Sequence, residues 1–202
     1  ENKKIVIVGH ESVRIGPVYD YMQFLFEKNV SALLLIEHPL LYLKEAYENS
    51  SYYEYYKGGK LNKRCVAYHW KLPEPFLYIK DFLYTVLWVL HLGDRYDLFI
   101  GFDPLNALAG LALKKLGRTR KVIYYSLDYF TRRFNNRLLN KIYHSIDKFC
   151  VYYADETWNV SATMIDAREK YNNMPRQTYN RQYIVPIGVW VNKTLRKTLR
   201  QI

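Results

Sequence analysis

The chain has 202 residues, 50% of them apolar, with nine glycines and seven prolines; this composition buries one good core and argues against disorder and low complexity. Lysine and arginine number 30 against 19 acidic residues, a net charge of +11, so the surface attracts phosphates, anionic lipid head groups or nucleic acid, and charge alone does not choose among them. Two cysteines, Cys65 and Cys150, are too few for a disulfide framework and are read as small buried hydrophobes of an intracellular protein.

In chain order, KIVIVG at 4–9 is a continuous β-branched run of the kind buried on both faces of a sheet, and VYDYMQFLFEKN at 18–29 has apolar residues at helical spacing. Since the opening ENKKIVIVGH is already strand-like, no targeting segment is expected. SALLLIE at 31–37 predicts a second buried strand. The tyrosine-rich YENSSYYEYYKGGKLNKR at 47–64 is polar and broken by Gly58-Gly59, which predicts an insertion loop or a short helical excursion. CVAYHW at 65–70 reads as a short strand. The apolar run at 76–92 predicts a helix; interrupted by Lys80 and Asp81 and short for a bilayer, it is buried or interfacial.

YDLFIGF at 96–102 is a strand, and PLNALAGLALKKLG at 104–117 a helix with Pro104 in its first turn and Gly117 just past its end. KVIYYSL at 121–127, TWNVS at 157–161 and YIVPIGV at 183–189 complete the strands, with helices over about 134–153 and 162–171. Repeated βα units with buried strands imply an α/β fold: a doubly wound, mainly parallel sheet with helices on both faces. The Rossmann-like domain covers 1–190, and 191–202 is a basic tail or the start of an interdomain linker.

Such sheets bind ligands at the carboxyl ends of their strands. The tips carry His10, Arg14 and Gly16; Glu37 and His38; His69 and Trp70; Asp103; Ser126, Asp128 and Tyr129; and Asn159 and Ser161. GHESVRIGP lacks the closely spaced glycines of a dinucleotide fingerprint, so classical NAD binding is not expected. Gly16 either offers helix-terminal amides to one phosphate or is an ordinary turn glycine. The histidines stand singly, His91 and His144 within helices as structural residues, and no metal site is predicted. No phosphate-binding Walker loop or serine nucleophile elbow is present. Asp103 and Ser161 stand where helix N-caps stand, a role worth about 1 kcal/mol without any ligand. Arg132 and Arg133 either meet a phosphate or solvate a helix start. The glycosylation sequons at Asn49, Asn159 and Asn192, among those the sequence contains, are read as chance matches.

SLDYFTRRFNN at 126–136, YADETWNVSATMIDARE at 153–169 and VPIGV at 185–189 together resemble the N-terminal domain of family 4 retaining glycosyltransferases, which have the GT-B fold. The matching positions are Asp128, Ala154-Asp155, Ser161 and the VPIGV turn; Ile187 and Trp190 stand where asparagine and aspartate are usual. By that resemblance the chain is the acceptor-side half of a two-domain enzyme, inactive alone, whose C-terminal donor-binding domain is absent. The resemblance implies a nucleotide-sugar donor as co-substrate, a glycan or lipid-linked acceptor, no tightly bound cofactor and no metal. It makes Asp128 and Asp103 the catalytic candidates. Tyr129 and Ser161 would line the cleft, Arg132 or Arg133 would meet a phosphate, and Gly16 would lie under the diphosphate beside Arg14 and His10.

The basic charge then gains a second meaning: Tyr52, Tyr53, Tyr55 and Tyr56 beside Lys57 and Lys60 either rest on an anionic membrane or pack on the domain. A cytoplasmic protein, peripheral on the inner face of a membrane, is the corresponding expectation. Two rivals stand beside this reading. One is a stand-alone non-catalytic module that recruits a separate catalytic subunit to a membrane and shows an exposed apolar face. The other is a nucleic-acid binder, ranked last because no recognition motif accompanies the basic residues.

Overall fold

The computed structural model describes residues 3–10, 16–39, 50–179 and 181–188. Along the chain these form β1 (Lys4–His10), α1 (Pro17–Glu27), β2 (Ala32–His38), β3 (Tyr52–Lys57), β4 (Lys60–Val66), α2 (Glu74–Leu92) and β5 (Tyr96–Phe102). There follow α3 (Pro104–Lys115), β6 (Thr119–Ser126), α4 (Arg137–Tyr153), β7 (Glu156–Asn159), α5 (Ala162–Asn172), a single 3-10 turn (Arg176–Thr178) and β8 (Gln182–Ile184). The strands make one eight-stranded sheet in the order β4-β3-β2-β1-β5-β6-β7-β8, parallel except where β3 runs against both of its neighbours.

The two-residue alternation of β1 assigns its side chains to two cores. Ile5 and Ile7 pack with Leu33, Leu35 and Ile100 beneath Val18, Tyr19 and Leu25 of α1. Val6 and Val8 pack with Leu34, Ile36, Phe99 and Val122 beneath Trp88 and Val89 of α2 and Leu113 of α3. Both sets are needed because a parallel strand in mid-sheet has no wet face. Beside the second core, Ala107, Tyr124, Cys150, Val151, Ala154 and Met174 seat α4 against α3 and β6. The chain turns outward in opposite senses from β1 and from β5, and right-handed crossovers then place α1 on one face and α2, α3 and α4 on the other. The doubly wound architecture read from the sequence is thus the architecture of the protein.

The tyrosine-rich segment corrects the sequence reading: it is neither loop nor helix but a hairpin. Gly58 and Gly59 form its two-residue turn with φ of 51° and 74°, the left-handed pair that such hairpins require. Tyr53 and Tyr55 are buried, Tyr53 edge-on to Trp88, while Tyr52 and Tyr56 reach Tyr19 and Phe26 on the opposite face. Phenol rings fill the core through their carbon bodies, and the hydroxyls of Tyr52, Tyr55 and Tyr56 stay bonded to Glu37, Asp94 and Glu54, so a polar-looking sequence makes an internal strand. β4 is the edge and is exposed throughout, with Lys60, Lys63 and Arg64 along it, the charge pattern that discourages edge-to-edge pairing. The expected strand at 65–70 is therefore replaced by one ending at Val66. Cys65, expected to be buried, lies exposed on that edge, whereas Cys150 is buried as read.

Candidate functional site

β1 and β5 are neighbours from which the chain departs in opposite directions, so the crevice at their carboxyl ends is the switch point of the sheet. His10 closes β1, and Asp103 follows β5 directly. Asp103 is the N-cap of α3: its Oδ1 accepts the Asn106 amide at 2.8 Å, and its Oδ2 accepts from the Asn106 side-chain amide at 2.8 Å. The same Oδ2 meets His10 Nδ1 at 2.5 Å. Asp103 holds φ at 128°, a left-handed conformation that costs a non-glycine residue strain. Close packing of α3 on β5 sets that geometry, because Gly101 has no side chain and a Cβ there would lie 2.7 Å from Ala107 Cα.

On the other side of the imidazole, Asp81 of α2 places Oδ2 3.4 Å from His10 Nε2. Asp81 is fully buried, and its Oδ1 takes Lys80 Nζ at 2.8 Å, the Ser51 hydroxyl at 3.0 Å and His38 Nδ1 at 3.2 Å. His38 passes its other nitrogen to Thr85 Oγ1 at 2.8 Å. Ser51 reaches this edge because β3, which it precedes, runs antiparallel and starts where β2 ends.

The two histidines titrate apart. Burial alone depresses His10, but the Asp103 carboxylate and then Asp81 reverse that effect and hold its pKa up at about 10. His10 is accordingly an imidazolium at neutral pH. Burial outweighs Asp81 at His38 and lowers its pKa, so His38 stays neutral, donating from Nδ1 and accepting from Thr85 at Nε2. Burial would raise Asp81, yet His38 and His10 around it hold it well below the ordinary carboxylate range. The crevice is therefore a fixed chain of alternating charge, with Asp103 its half-exposed end.

Asp128 lies beyond β6 on the same edge and is exposed. Partial desolvation raises its carboxyl, Arg133 opposes this, and the charge of Asp103 adds to the rise, so the two aspartates share one electrostatic environment. Arg133 stacks on Phe130 at 5.1 Å and interacts with the hydroxyl of Tyr78, whose ring stands 6.3 Å from that of His10. Tyr78 thus joins the His10 crevice to the Asp128 loop. Arg132 is exposed. Tyr129 turns inward, with its ring 5.3 Å from the Arg168 guanidinium and its pKa pushed up to about 12 by burial, then Asp147, against Arg168.

Beneath that loop lies an ion pair that the sequence reading missed. Arg168 of α5 is fully buried and grips Asp147 of α4 with Nε to Oδ2 and Nη2 to Oδ1, both at 2.9 Å. It also donates to Asn159 Oδ1 at 2.6 Å and Ser126 Oγ at 2.9 Å, while the Tyr124 hydroxyl donates to Asp147 at 2.7 Å. This network ties α4 and α5 to the ends of β6 and β7. It buries Asn159, one of the sequon residues, while Asn49 and Asn192 fall outside the described residues.

Of the other predicted positions, Gly16 precedes α1 with φ at 131°, which only glycine adopts freely. Arg14 lies outside the described residues. Ser161 occupies the N-cap position of α5 without capping it, since its hydroxyl bonds the Thr163 hydroxyl instead. Trp70 follows the edge strand β4, three strands from β1, and donates to the Tyr84 hydroxyl of α2. His91 is exposed near the end of α2, and His144 bridges the Thr131 carbonyl and Asn172. The structure gathers His10, Asp103, Asp128 and Arg133, and adds Asp81, His38, Lys80, Ser51 and Tyr78.

The fold has a match among solved structures. The catalytic domain of starch synthase IV from Arabidopsis thaliana, bound to ADP and acarbose, superposes with a TM-score of 0.55 at 10% identity, over 93% of this chain and 52% of that one. At that identity the match shows a shared Rossmann-like α/β fold, and this chain spans about half the length of that domain. No protein-family model matches the sequence, and no curated protein matches it.

Proposed function

We propose that this chain is the acceptor-side domain of a GT-B glycosyltransferase, akin to family 4, that works with a second, donor-binding domain. The carrying observation is the His10–Asp103 pair at the switch point, strained and charge-locked at 2.5 Å, in a fold shared with a sugar-transferring domain bound to ADP and a glycan analogue. Strain and strongly shifted titration concentrate where chemistry is done.

In this reading Asp103 and Asp128 accept hydrogen bonds from the acceptor hydroxyls. Their negative charge also faces the oxocarbenium ion that develops as the sugar leaves its diphosphate. His10 is no proton acceptor at neutral pH. It fixes Asp103 through its hydrogen bond and charge, while Arg133 and the Gly16 helix terminus serve the departing diphosphate. The substrates are a nucleotide-sugar and a glycan or lipid-linked acceptor, and the protein acts as a peripheral membrane enzyme of the cytoplasm.

The test is nucleotide release from ADP-, UDP- and GDP-sugars by the full-length protein with oligosaccharide or prenyl-phosphate acceptors. Acceptor-dependent release that Asp103→Asn lowers by about a hundredfold, the scale of one preorganised electrostatic contact, supports the reading. Release that is absent with every donor points to the non-catalytic recruiting module, and acceptor-dependent release that is indifferent to Asp103→Asn removes Asp103 from the mechanism.

A further inference from the structure

We propose that the outward face of α2, α3 and α4 seats on an anionic lipid surface. On α2, Phe76, Ile79, Leu83 and Leu87 form one stripe at helical spacing, each between 50% and 57% exposed, while Leu77, Asp81, Thr85, Trp88 and Val89 take the buried side. A helix covering only its own core carries polar residues at those outward positions. On α4, Leu138, Ile142, Phe149 and Tyr153 are 44% to 65% exposed, opposite the buried Asp147, Cys150 and Val151. Between α3 and α4 lies a mainly apolar groove of about 430 Å³, lined by Leu108 of α3 with Leu138, Lys141, Ile142, Ile146 and Phe149. The stripes lie on the same side of the sheet, with α3 packed between α2 and α4.

The charges choose the occupant. The exposed charged side chains of α4 are Arg137, Lys141 and Lys148, all cationic, and its one acid, Asp147, is spent internally on Arg168. α3 adds Lys115 at its end, next to the exposed Leu116. Glu74, at the start of α2, is the acidic exception and accepts from Tyr78. A second copy would bring cationic rim against cationic rim in a chain of net charge +11, which disfavours self-pairing. A bilayer bearing anionic head groups satisfies the apolar stripes and the basic rim together. Among the described residues no helix is long and apolar enough to cross a membrane, so these helices lie on it. The first turns of α2 and α4 sit at the edge that carries Tyr78, Asp81 and Arg133, so this face meets the crevice. The surface differs from the one the sequence pointed to, since Tyr53 and Tyr55 are core residues.

The inference rests on the fold and not on the proposed transfer activity. It is tested by co-sedimenting the full-length protein with phosphatidylcholine vesicles with and without phosphatidylglycerol. The expected result is binding that requires phosphatidylglycerol and weakens with salt. Arg137→Gln/Lys141→Gln/Lys148→Gln lowers it by on the order of a hundredfold, at about fivefold for each basic residue near the surface. Leu138→Gln/Ile142→Gln/Phe149→Gln lowers it at least about tenfold, with wild-type circular dichroism, because exposed substitutions leave the fold intact. Wild-type protein that stays in the supernatant overturns the proposal, as does equal pelleting of the apolar triple variant. Sedimentation equilibrium showing a dimer that this variant dissolves overturns it in favour of a second copy. Transfer to a water-soluble acceptor is measured in parallel and is expected to be unchanged by either triple variant, which separates this proposal from the enzymatic one.

Discussion

Replacing Asp103 by asparagine keeps an oxygen to cap α3 and removes the charge that His10 faces. In the native protein burial works against the imidazolium, and the carboxylates of Asp103 and then Asp81 raise it from the ordinary 6.5 to about 10. At ~1.4 kcal/mol per pH unit this corresponds to on the order of 5 kcal/mol in favour of the charged ring. Asp103 is the nearer partner, 2.5 Å against 3.4 Å, and supplies the larger share. Without it, His10 falls by about two pH units or more, toward neutrality. The linkage has a definite sign. A group raised in the folded state stabilises fully below its unfolded pKa of about 6.5, and that contribution disappears as the pH climbs through the folded value of about 10. Wild-type Tm therefore declines between neutral and strongly alkaline pH, and Asp103→Asn flattens that decline. The assay is an NMR titration of the imidazole Cε1–H signals, with His10 assigned by His10→Gln, beside thermal melts across the same range. A native His10 that titrates near its ordinary value, or identical titrations in the two proteins, refutes the charge-locked crevice.

Arg168→Met strands the buried Asp147 carboxylate, and breaking such a pair costs roughly 3–5 kcal/mol; a urea midpoint near wild type would show the pair to be dispensable. Gly101→Ala puts a methyl group 2.7 Å from Ala107 Cα, so α3 is pushed off β5 at about 1–3 kcal/mol. The same NMR titration should show His10 lowered as Asp103 is drawn away. Asp128→Ala, at an exposed position, leaves Tm within a degree or two of wild type and lowers transfer by at least about tenfold; unchanged turnover removes Asp128 from the mechanism.

The helices and the parallel strands were legible because their signals are local. A strand buried on both faces is a continuous apolar run, as in KIVIVG, and a core-facing helix repeats near 3.6 residues, as in the Pro104 helix with its Asp103 cap. The hairpin was not legible, because counting tyrosine, glutamate and lysine as polar hid the alternation at 52–57. The Gly58-Gly59 pair is the available signal, since two adjacent glycines make a two-residue hairpin turn as readily as they break a helix. Asp81 was visible only as an interruption of an apolar run. An acid inside such a run is also what a buried counter-ion looks like, and that reading would have found it.

What the sequence determined by itself was the series of βα units and the list of strand-end residues, since both depend on periods of two and 3.6 within a few residues. What the tertiary structure alone decided was which tips meet. His10 and Asp103 are 93 residues apart, and they touch because β5 pairs with β1 and not with β4. Arg168 finds Asp147, and α2 and α4 keep apolar faces uncovered, for the same reason. Strand order and helix placement are settled by the packing of whole faces against one another, an energy spread over many distant residues that no local pattern carries.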